Sequence, residues 1–458
     1  MSVRLCALLA LLPSVVLAAD WPEFLGPNRD NTSPETIRDS WPAEGPAIVW
    51  QKDVGTGYSA PSVRDGMLVL HHRVGGEEVI EAMDAANGIK IWNYAYPSAF
   101  RDPYGFNDGP RCSPLLTADR CYTLGAEGTL LCLERKTGKL VWRRDTQKDF
   151  DVPEAFFGVG SSPVLDDGKL IVQVGGQPNS GVAAFDATTG KTLWENVGEK
   201  TWNGELMHRW PGEPFAKWDI GHPAFQKQAS YCSPVLATIH GQRHVIFVTR
   251  QGLVSLNPAT GAHNFSYWFR APQEESVNAM TPVVQGDLIF ISSAYYRSGS
   301  VVLRVKPDGK GVDEVWRSLV LEIHWSRPNL IDGYLYAFSG RNEPDGFFRC
   351  VEFATGKLMW ERKEGWPKGN HAKMRDGEDA PSVFGRGSSI YVDGKLLALG
   401  ECGLLGLFKP DPAKLTEICR WQVPGLKYPC WAGPVLSDGR LYLRCEEKLI
   451  CLDMAKPK

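Results

Sequence analysis

Short apolar runs of about 4–8 residues recur from Ala47 to the end of the chain, broken each time by Gly, Asp, Asn or Pro. That length and punctuation predict strands joined by tight turns. Two phrases organise the runs. The first is a small residue, Pro, then apolar residues, as in Ala60-Pro61, Ser113-Pro114, Ser162-Pro163, Ser233-Pro234, Thr281-Pro282, Arg327-Pro328 and Gly433-Pro434, with Ser389-Ile390 taking the slot without Pro. A strand, a turn such as Asp65-Gly66, Asp167-Gly168, Asp332-Gly333, Asp393-Gly394 or Asp438-Gly439, and another strand follow each opening. These are hairpin signals.

The second phrase closes the unit. Asp84 to Gly88 is followed by Trp92, Glu134 to Gly138 by Trp142, Asp186 to Gly190 by Trp194, Asn257 to Gly261 by Phe265, and Glu352 to Gly356 by Trp360. Weaker copies end at Trp316 and Trp421. Gly tolerates the positive φ of such a turn, and the aromatic residue falls on the next strand. One unit therefore reads as four antiparallel strands, which describes a propeller blade. There are eight openings, and the last unit stops at Cys451-Leu452-Asp453 without its Trp strand. Ala47-Ile48-Val49-Trp50 is a Trp strand with no unit before it. The expected fold is an all-β, eight-bladed propeller, its ring closed by the Trp50 strand and left with no open seam.

The repeat disposes of several residues that would otherwise suggest chemistry. Seven of the 16 tryptophans share one strand position, which reads as packing between blades. Cys132, Cys350 and Cys451 hold equivalent third-strand positions, and Cys112 and Cys232 precede an opening Pro by two residues, as small buried hydrophobes would. Cys121 and Cys132 are symmetric about Ala126-Glu127, so a hairpin could pair them; Cys445 and Cys451 form a shorter case. His71 and His72 point to opposite faces of one strand. Thr189-Gly190-Lys191-Thr192 mimics a phosphate loop, but Phe185 stands where that loop needs Gly.

Composition changes the picture little. Fifty Lys plus Arg balance 53 Asp plus Glu, which gives no footprint for nucleic acid. The 16 Trp, 14 Tyr and 19 Phe supply ample surface to bury. The N-terminus stands apart: Arg4 is its only charge before Asp20, an apolar run covers 5–17, and small residues follow. Residues 1–18 read as a cleaved signal peptide, too short to span a bilayer, and Cys6 is misplaced for lipidation. The expected mature protein is exported, not membrane-spanning, and periplasmic or extracellular, with an extended arm at 19–40 and the propeller at 41–458.

The residues just before each opening should point into the funnel at the ring centre. In blade order they are Tyr58, Arg111, Gly160, Tyr231, Asn278, His324 with Trp325, Arg386 and Trp431. Aromatic walls with a few polar groups suit an anionic or sugar-like ligand. Arg111 and Arg386 are the expected shared anion site. The longest connectors, at 94–109, 195–230 and 361–385, should lie on the same face, where loops on a rigid scaffold carry function. The second and third carry Trp202, His208, Trp210, Trp218 and His222, and Lys363, Trp366, His371, Lys373, Arg375 and Asp376.

The units resemble the pyrroloquinoline quinone (PQQ) type repeat, with Leu131-Cys132-Leu133-Glu134-Arg135-Lys136-Thr137-Gly138-Lys139-Leu140-Val141-Trp142 the best copy and Ala184 to Trp194 the next. The resemblance covers about Trp41 to the C-terminus and implies the fold. The leader Trp21-Pro22-Glu23-Phe24-Leu25-Gly26-Pro27-Asn28-Arg29-Asp30 resembles that of exported PQQ-like propellers. Two branches follow from it: quinoprotein dehydrogenases, which bind PQQ and Ca²⁺, and non-catalytic scaffolds such as the lipoprotein of the outer-membrane protein assembly machine. The vicinal Cys pair of the eight-bladed dehydrogenases is missing, their calcium ligands and catalytic Asp have no matching positions, and no Cys-x-x-Cys-His haem site occurs. The expectation is a non-catalytic binding or assembly module, with no cofactor or metal, for a protein, glycan or small anionic partner. The alternative is a divergent PQQ- and Ca²⁺-dependent alcohol or sugar dehydrogenase.

Overall fold

The computed structural model describes residues 19–152, 157–176, 181–196, 230–271, 276–367 and 381–457. The expected signal peptide lies outside them, as do Trp202, His208, Trp210, Trp218, His222, His371, Lys373, Arg375 and Asp376.

Eight antiparallel sheets form the ring. Blade 1 runs from the innermost strand Ser62–Arg64 through Met67–Val74 and Glu77–Asp84 to the outermost, Lys90–Pro97. Blades 2 to 7 repeat that order, with innermost strands at Leu115–Leu116, Val164–Asp166, Val235–Ile239, Val283–Gln285, Asn329–Ile331 and Ser388–Val392. Blade 8 takes Val435–Ser437, Arg440–Arg444 and Lys448–Asp453 from the end of the chain and Ile48–Asp53 from its start. Trp50 stands opposite Cys451 and Asp53 opposite Lys448, so the two ends are sewn into one sheet.

The Asp-Gly pairs form their hairpins because both residues adopt positive φ, as at Asp65 (49°) and Gly66 (72°). Two such residues give the turn twist that suits the flanking strands. The Thr-Gly turns do a second job. In blade 3 the Asp186 carboxylate accepts the N–H groups of Thr188 (3.1 Å) and Thr189 (2.7 Å), and Gly190 turns the chain at φ +71°. The indole of Trp142, from blade 2, covers that glycine and donates its Nε1–H to the Ala187 carbonyl at 3.0 Å. The same bond joins Trp50 to Ala85, Trp92 to Arg135, Trp194 to Pro258, Trp316 to Phe353 and Trp360 to Asp411. Trp421 lies against Gly45 across the seam. The outer strand pair of every blade carries a register shift beside this position. A bulge re-aims a side chain, here toward the next blade.

Cysteines follow the register. Cys132, Cys350 and Cys451 each lie between a tyrosine on the second strand and a tryptophan on the fourth: Tyr122 and Trp142, Tyr336 and Trp360, Tyr442 and Trp50. The expected pairing of Cys121 with Cys132 does not occur. Its turn centres on Glu127, with Leu124 opposite Leu130, so Cys121 faces Leu133 and Cys132 faces Tyr122. Cys445 and Cys451 are likewise out of register, since Cys451 faces Tyr442. All ten described cysteines are free thiols.

Residues 19–40 cross the ring on the face of the first hairpin turns. Trp21 pairs with Val63 of blade 1, and Pro22 accepts the Leu116 N–H of blade 2 at 2.7 Å. Arg29 reaches the Leu165 carbonyl of blade 3. Thr32–Ser33 adds a parallel fifth strand to the channel edge of Ser388–Val392 in blade 7. The Glu35 carboxylate then accepts the N–H groups of Asp438 (2.9 Å) and Gly439 (2.6 Å) in blade 8. The arm thus touches opposite sides of the ring and floors its central channel.

Candidate functional site

The innermost strands begin on the face opposite the arm, and their leading residues converge there. A belt of hydroxyls holds them in phase. The Ser113 N–H donates to Ser162 Oγ (3.0 Å), the Ser162 N–H to Ser233 Oγ (2.9 Å), and the Ser233 N–H to Thr281 Oγ1 (3.2 Å). From blade 2 to blade 5 the small hydroxyl residue before the opening Pro is therefore a link between neighbouring blades. Arg327 occupies that slot in blade 6.

Inside the belt is a cavity of about 240 Å³. Tyr58, Arg111, Gly160, Tyr231, His324, Trp325 and Trp431 line it, as the slot rule requires. Gly160 is needed there, because a Cβ would stand 2.7 Å from the Tyr231 ring. Two expected residues lie behind the wall. Asn278 is buried and donates to the Thr249 (2.9 Å) and Phe269 (3.0 Å) carbonyls. Arg386 lies under two wall indoles, with its guanidinium carbon 5.0 Å from the Trp325 ring centre and 5.7 Å from that of Trp431. The sequence reading missed Phe106, Phe157, Tyr295 and Arg327 on the wall and Trp21, Phe24 and Leu25 on the floor. Tyr295 comes from a turn inside blade 5, where no slot marks it. Arg327 did carry a signal, a large cation in a small-residue position.

The rings form a continuous concave surface. Tyr58, Phe106, Trp325 and Tyr428 all contact Trp431, with centroids 4.9–5.7 Å apart and planes inclined by 48–84°. Phe157 joins Phe106 to Tyr231. Such tilted walls offer single ring faces rather than a parallel-sided slot.

The two expected anion ligands are already engaged. Arg111 pairs with the buried Asp102 at 2.7 Å and donates to the Gly109 carbonyl at 2.8 Å. Arg386 pairs with Glu401 (2.8 Å) and Glu343 (3.4 Å). Each guanidinium thus sits with its own carboxylate. Glu23, the acid on the floor, pairs with Arg29 at 2.8 Å.

Arg386 also fixes the protonation of the wall. Its Nη1 donates to His324 Nδ1 at 3.3 Å, so Nδ1 is the acceptor and the imidazole hydrogen sits on Nε2, 3.1 Å from Tyr295 Oη. Burial, with the Arg386 and Arg341 charges, holds His324 well below its usual pKa and neutral. Tyr295 accepts that N–H, and Tyr231 Oη accepts the N–H of Phe157 at 2.9 Å. Both phenols keep their own O–H to donate; burial pushes Tyr231 up to about 12.

His71 and His72 serve separate carboxylates. His71 lies 3.1 Å from Glu78, and His72 lies 3.6 Å from Glu81 and accepts the Gly55 N–H at 2.7 Å. Burial, helped by the Arg444 charge, lowers His72 to about 3. An unfolded histidine titrates near 6.5, so between these values only the unfolded chain binds the proton, and stability falls as pH drops through the window. The expected loss is about 2 kcal/mol between pH 6.5 and 5. Urea melts across that range should show a shallower slope for His72→Gln; an unchanged slope would remove His72 as the cause.

The blades, their indole clasps and the closed ring define a PQQ-like β-propeller of the quinoprotein dehydrogenase superfamily. The family model described as outer membrane protein assembly factor BamB matches residues 98–360, more than half of the 458, and the chain belongs to that family. Curated relatives match smaller parts. The quinohemoprotein alcohol dehydrogenase ADH IIB of Pseudomonas putida is 28% identical over 189 residues, 40% of this chain and 24% of that protein. The dehydrogenase subunit of alcohol dehydrogenase (quinone) from Gluconacetobacter polyoxogenes is 30% identical over 161 residues, 32% and 21% of the two chains. The chain thus spans about a quarter of the length of these relatives or less. The quinohemoprotein alcohol dehydrogenase structure from Comamonas testosteroni covers 96% of this chain and 81% of its own at TM-score 0.62 and 14% identity. A europium-containing methanol dehydrogenase covers 93% and 89% at TM-score 0.62 and 13% identity. At such identities the likeness is one of fold.

Proposed function

We propose that this protein is an exported, non-catalytic binding propeller whose cup holds a ring-shaped ligand on the face opposite the arm. The observation that carries this reading is the continuous aromatic wall around Trp431, backed by the phenol donors Tyr231 and Tyr295. A ring with one apolar face, such as a glycan unit, stacks on tilted indoles and accepts hydrogen bonds from the phenols. The connector at 94–109, which brings Phe106 to the cup, offers a protein partner a surface in an assembly role. Among the described residues no helix is long and apolar enough to cross a membrane.

The second reading, a quinoprotein dehydrogenase, is favoured by the relatives' names. The described residues fit its cofactor poorly. PQQ is a tricarboxylate, and Arg111 and Arg386 already hold carboxylates of their own. Calcium needs clustered oxygen ligands, and among the described residues no acidic, His or Cys cluster able to hold a metal gathers.

The deciding experiment is tryptophan fluorescence and melting temperature of the purified protein with oligosaccharides, and separately with PQQ plus Ca²⁺. A ligand of the folded state stabilises by about 2.7 kcal/mol at a hundredfold excess over Kd. Saturable quenching by a sugar is expected. A response to PQQ plus Ca²⁺ with none to sugars would favour the dehydrogenase instead.

A further inference from the structure

Arg327 differs from the other cations of the channel. Its side chain is buried, with the residue 8% exposed, and it lines the cavity where the arm meets the wall. Nε donates to the Pro282 carbonyl (3.3 Å) and Nη1 to the Asp30 carbonyl (2.7 Å). Both partners are neutral. The nearest carboxylate, Asp30, is turned to Thr32, accepting its N–H at 2.9 Å and its hydroxyl at 2.6 Å. The third nitrogen, Nη2, has no partner among the described residues and is not sealed away by the protein. Burial lowers the guanidinium to about 10, so it remains a cation at neutral pH.

A buried charge held only by carbonyls is costly, and an arriving anion would relieve it. In blades 2 to 5 this slot holds the small residues of the hydroxyl belt, and here an arginine stands in place of the hydroxyl, tied to blade 5 only through its Nε bond to Pro282. We infer that Arg327 Nη2 is the anchor for a carboxylate group on the ring-shaped ligand, which makes the ligand class a ring bearing one negative charge, such as an acidic sugar. One open nitrogen on one cation matches a single carboxylate. A phosphate dianion or a polycarboxylate would bring charge that the described wall does not neutralise. The inference rests on the binding reading above and assigns to Arg327 the anion role that Arg111 and Arg386 do not fill.

The test pairs charged rings with neutral isosteres. Glucuronate is compared with glucose, and benzoate with benzyl alcohol, by tryptophan quenching of the full protein. Expected is binding about tenfold or more tighter for the charged member, as a charge-assisted hydrogen bond provides. Whether glucuronate or benzoate binds tighter distinguishes an acidic sugar from an aromatic acid. Arg327→Gln should abolish the preference for charge while the neutral member keeps its affinity, a split that mere loosening of the arm would not produce. Equal affinity for charged and neutral members in the unmodified protein overturns the inference without needing any variant to fold, and leaves the cup as a neutral-ring site. A preference that survives Arg327→Gln also overturns it. If none of the four rings binds, the binding reading itself fails and the inference falls with it.

Discussion

Arg386→Ala is expected to lower the unfolding free energy by about 3–5 kcal/mol, the usual cost of stranding a buried charge. Glu401 is fully buried, and the Arg386 guanidinium supplies its Nε contact at 3.1 Å and its Nη2 contact at 2.8 Å. Glu343 is 6% exposed and 3.4 Å from the same group. Trp431 Nε1–H, at 3.2 Å, is too weak a replacement. The alanine also withdraws the cation from beneath Trp325 and Trp431, so the cup should lose affinity along with stability. Replacing both partners, Arg386→Met with Glu401→Leu, should cost less than Arg386→Ala, because no orphaned carboxylate of Glu401 remains. Urea melts of the two variants decide this. A loss below about 1 kcal/mol for Arg386→Ala would mean that water reaches Glu401 and that the wall is softer than described.

The second large effect belongs to the clasp between blades 2 and 3. Trp142→Ala should cost about 3–5 kcal/mol, since it empties a buried site that blade 3 leans on. Trp142→Phe keeps most of the ring but loses the bond to Ala187, for about 1 kcal/mol. Gly190→Ala attacks the same clasp from the other side: φ is +71°, and the new Cβ would lie 2.7 Å from the Trp142 ring. Overpacking of this kind costs about 1–3 kcal/mol. The test is a double-mutant cycle. Combined with Trp142→Ala, the glycine change should cost clearly less than it does alone, because the ring it strikes is gone. Strict additivity would show that the two residues do not act as one clasp.

The parts of this fold legible in the sequence were those set by local geometry. A Gly four residues before a Trp announces a turn that one blade offers to its neighbour. The unpaired Trp50 strand announces how the ring closes. Most of the wall residues named in advance follow the slot before the opening Pro, while Asn278 and Arg386 from the same stretch lie behind the wall. What escaped depends on partners that the repeat does not pair. That Asp102 would claim Arg111, and Glu401 would claim Arg386, is written in no spacing, so both arginines read as free. Tyr295 reaches the wall from a turn within a blade, outside the slot rule. The small residue before Pro was visible as a pattern, but its hydroxyl serves the next blade, and only the assembled ring reveals that. The Cys121 and Cys132 register failed by a single residue, which is enough to turn a strand's side chains to opposite faces.

The arm and the seam also constrain the order in which the molecule can be finished. Glu35 waits for Asp438 and Gly439, the Arg38 N–H for the Met454 carbonyl, and the Trp50 strand for Lys448–Asp453. These are the first described residues to leave the ribosome and nearly the last. Seven blades can form as the chain emerges, each from local hairpins, but the end of the arm and the eighth blade require contacts spanning almost the full length of the chain. Contacts of such separation form late. The growing chain is therefore an open arc, and the ring and the last ties of the arm close only with the final strand.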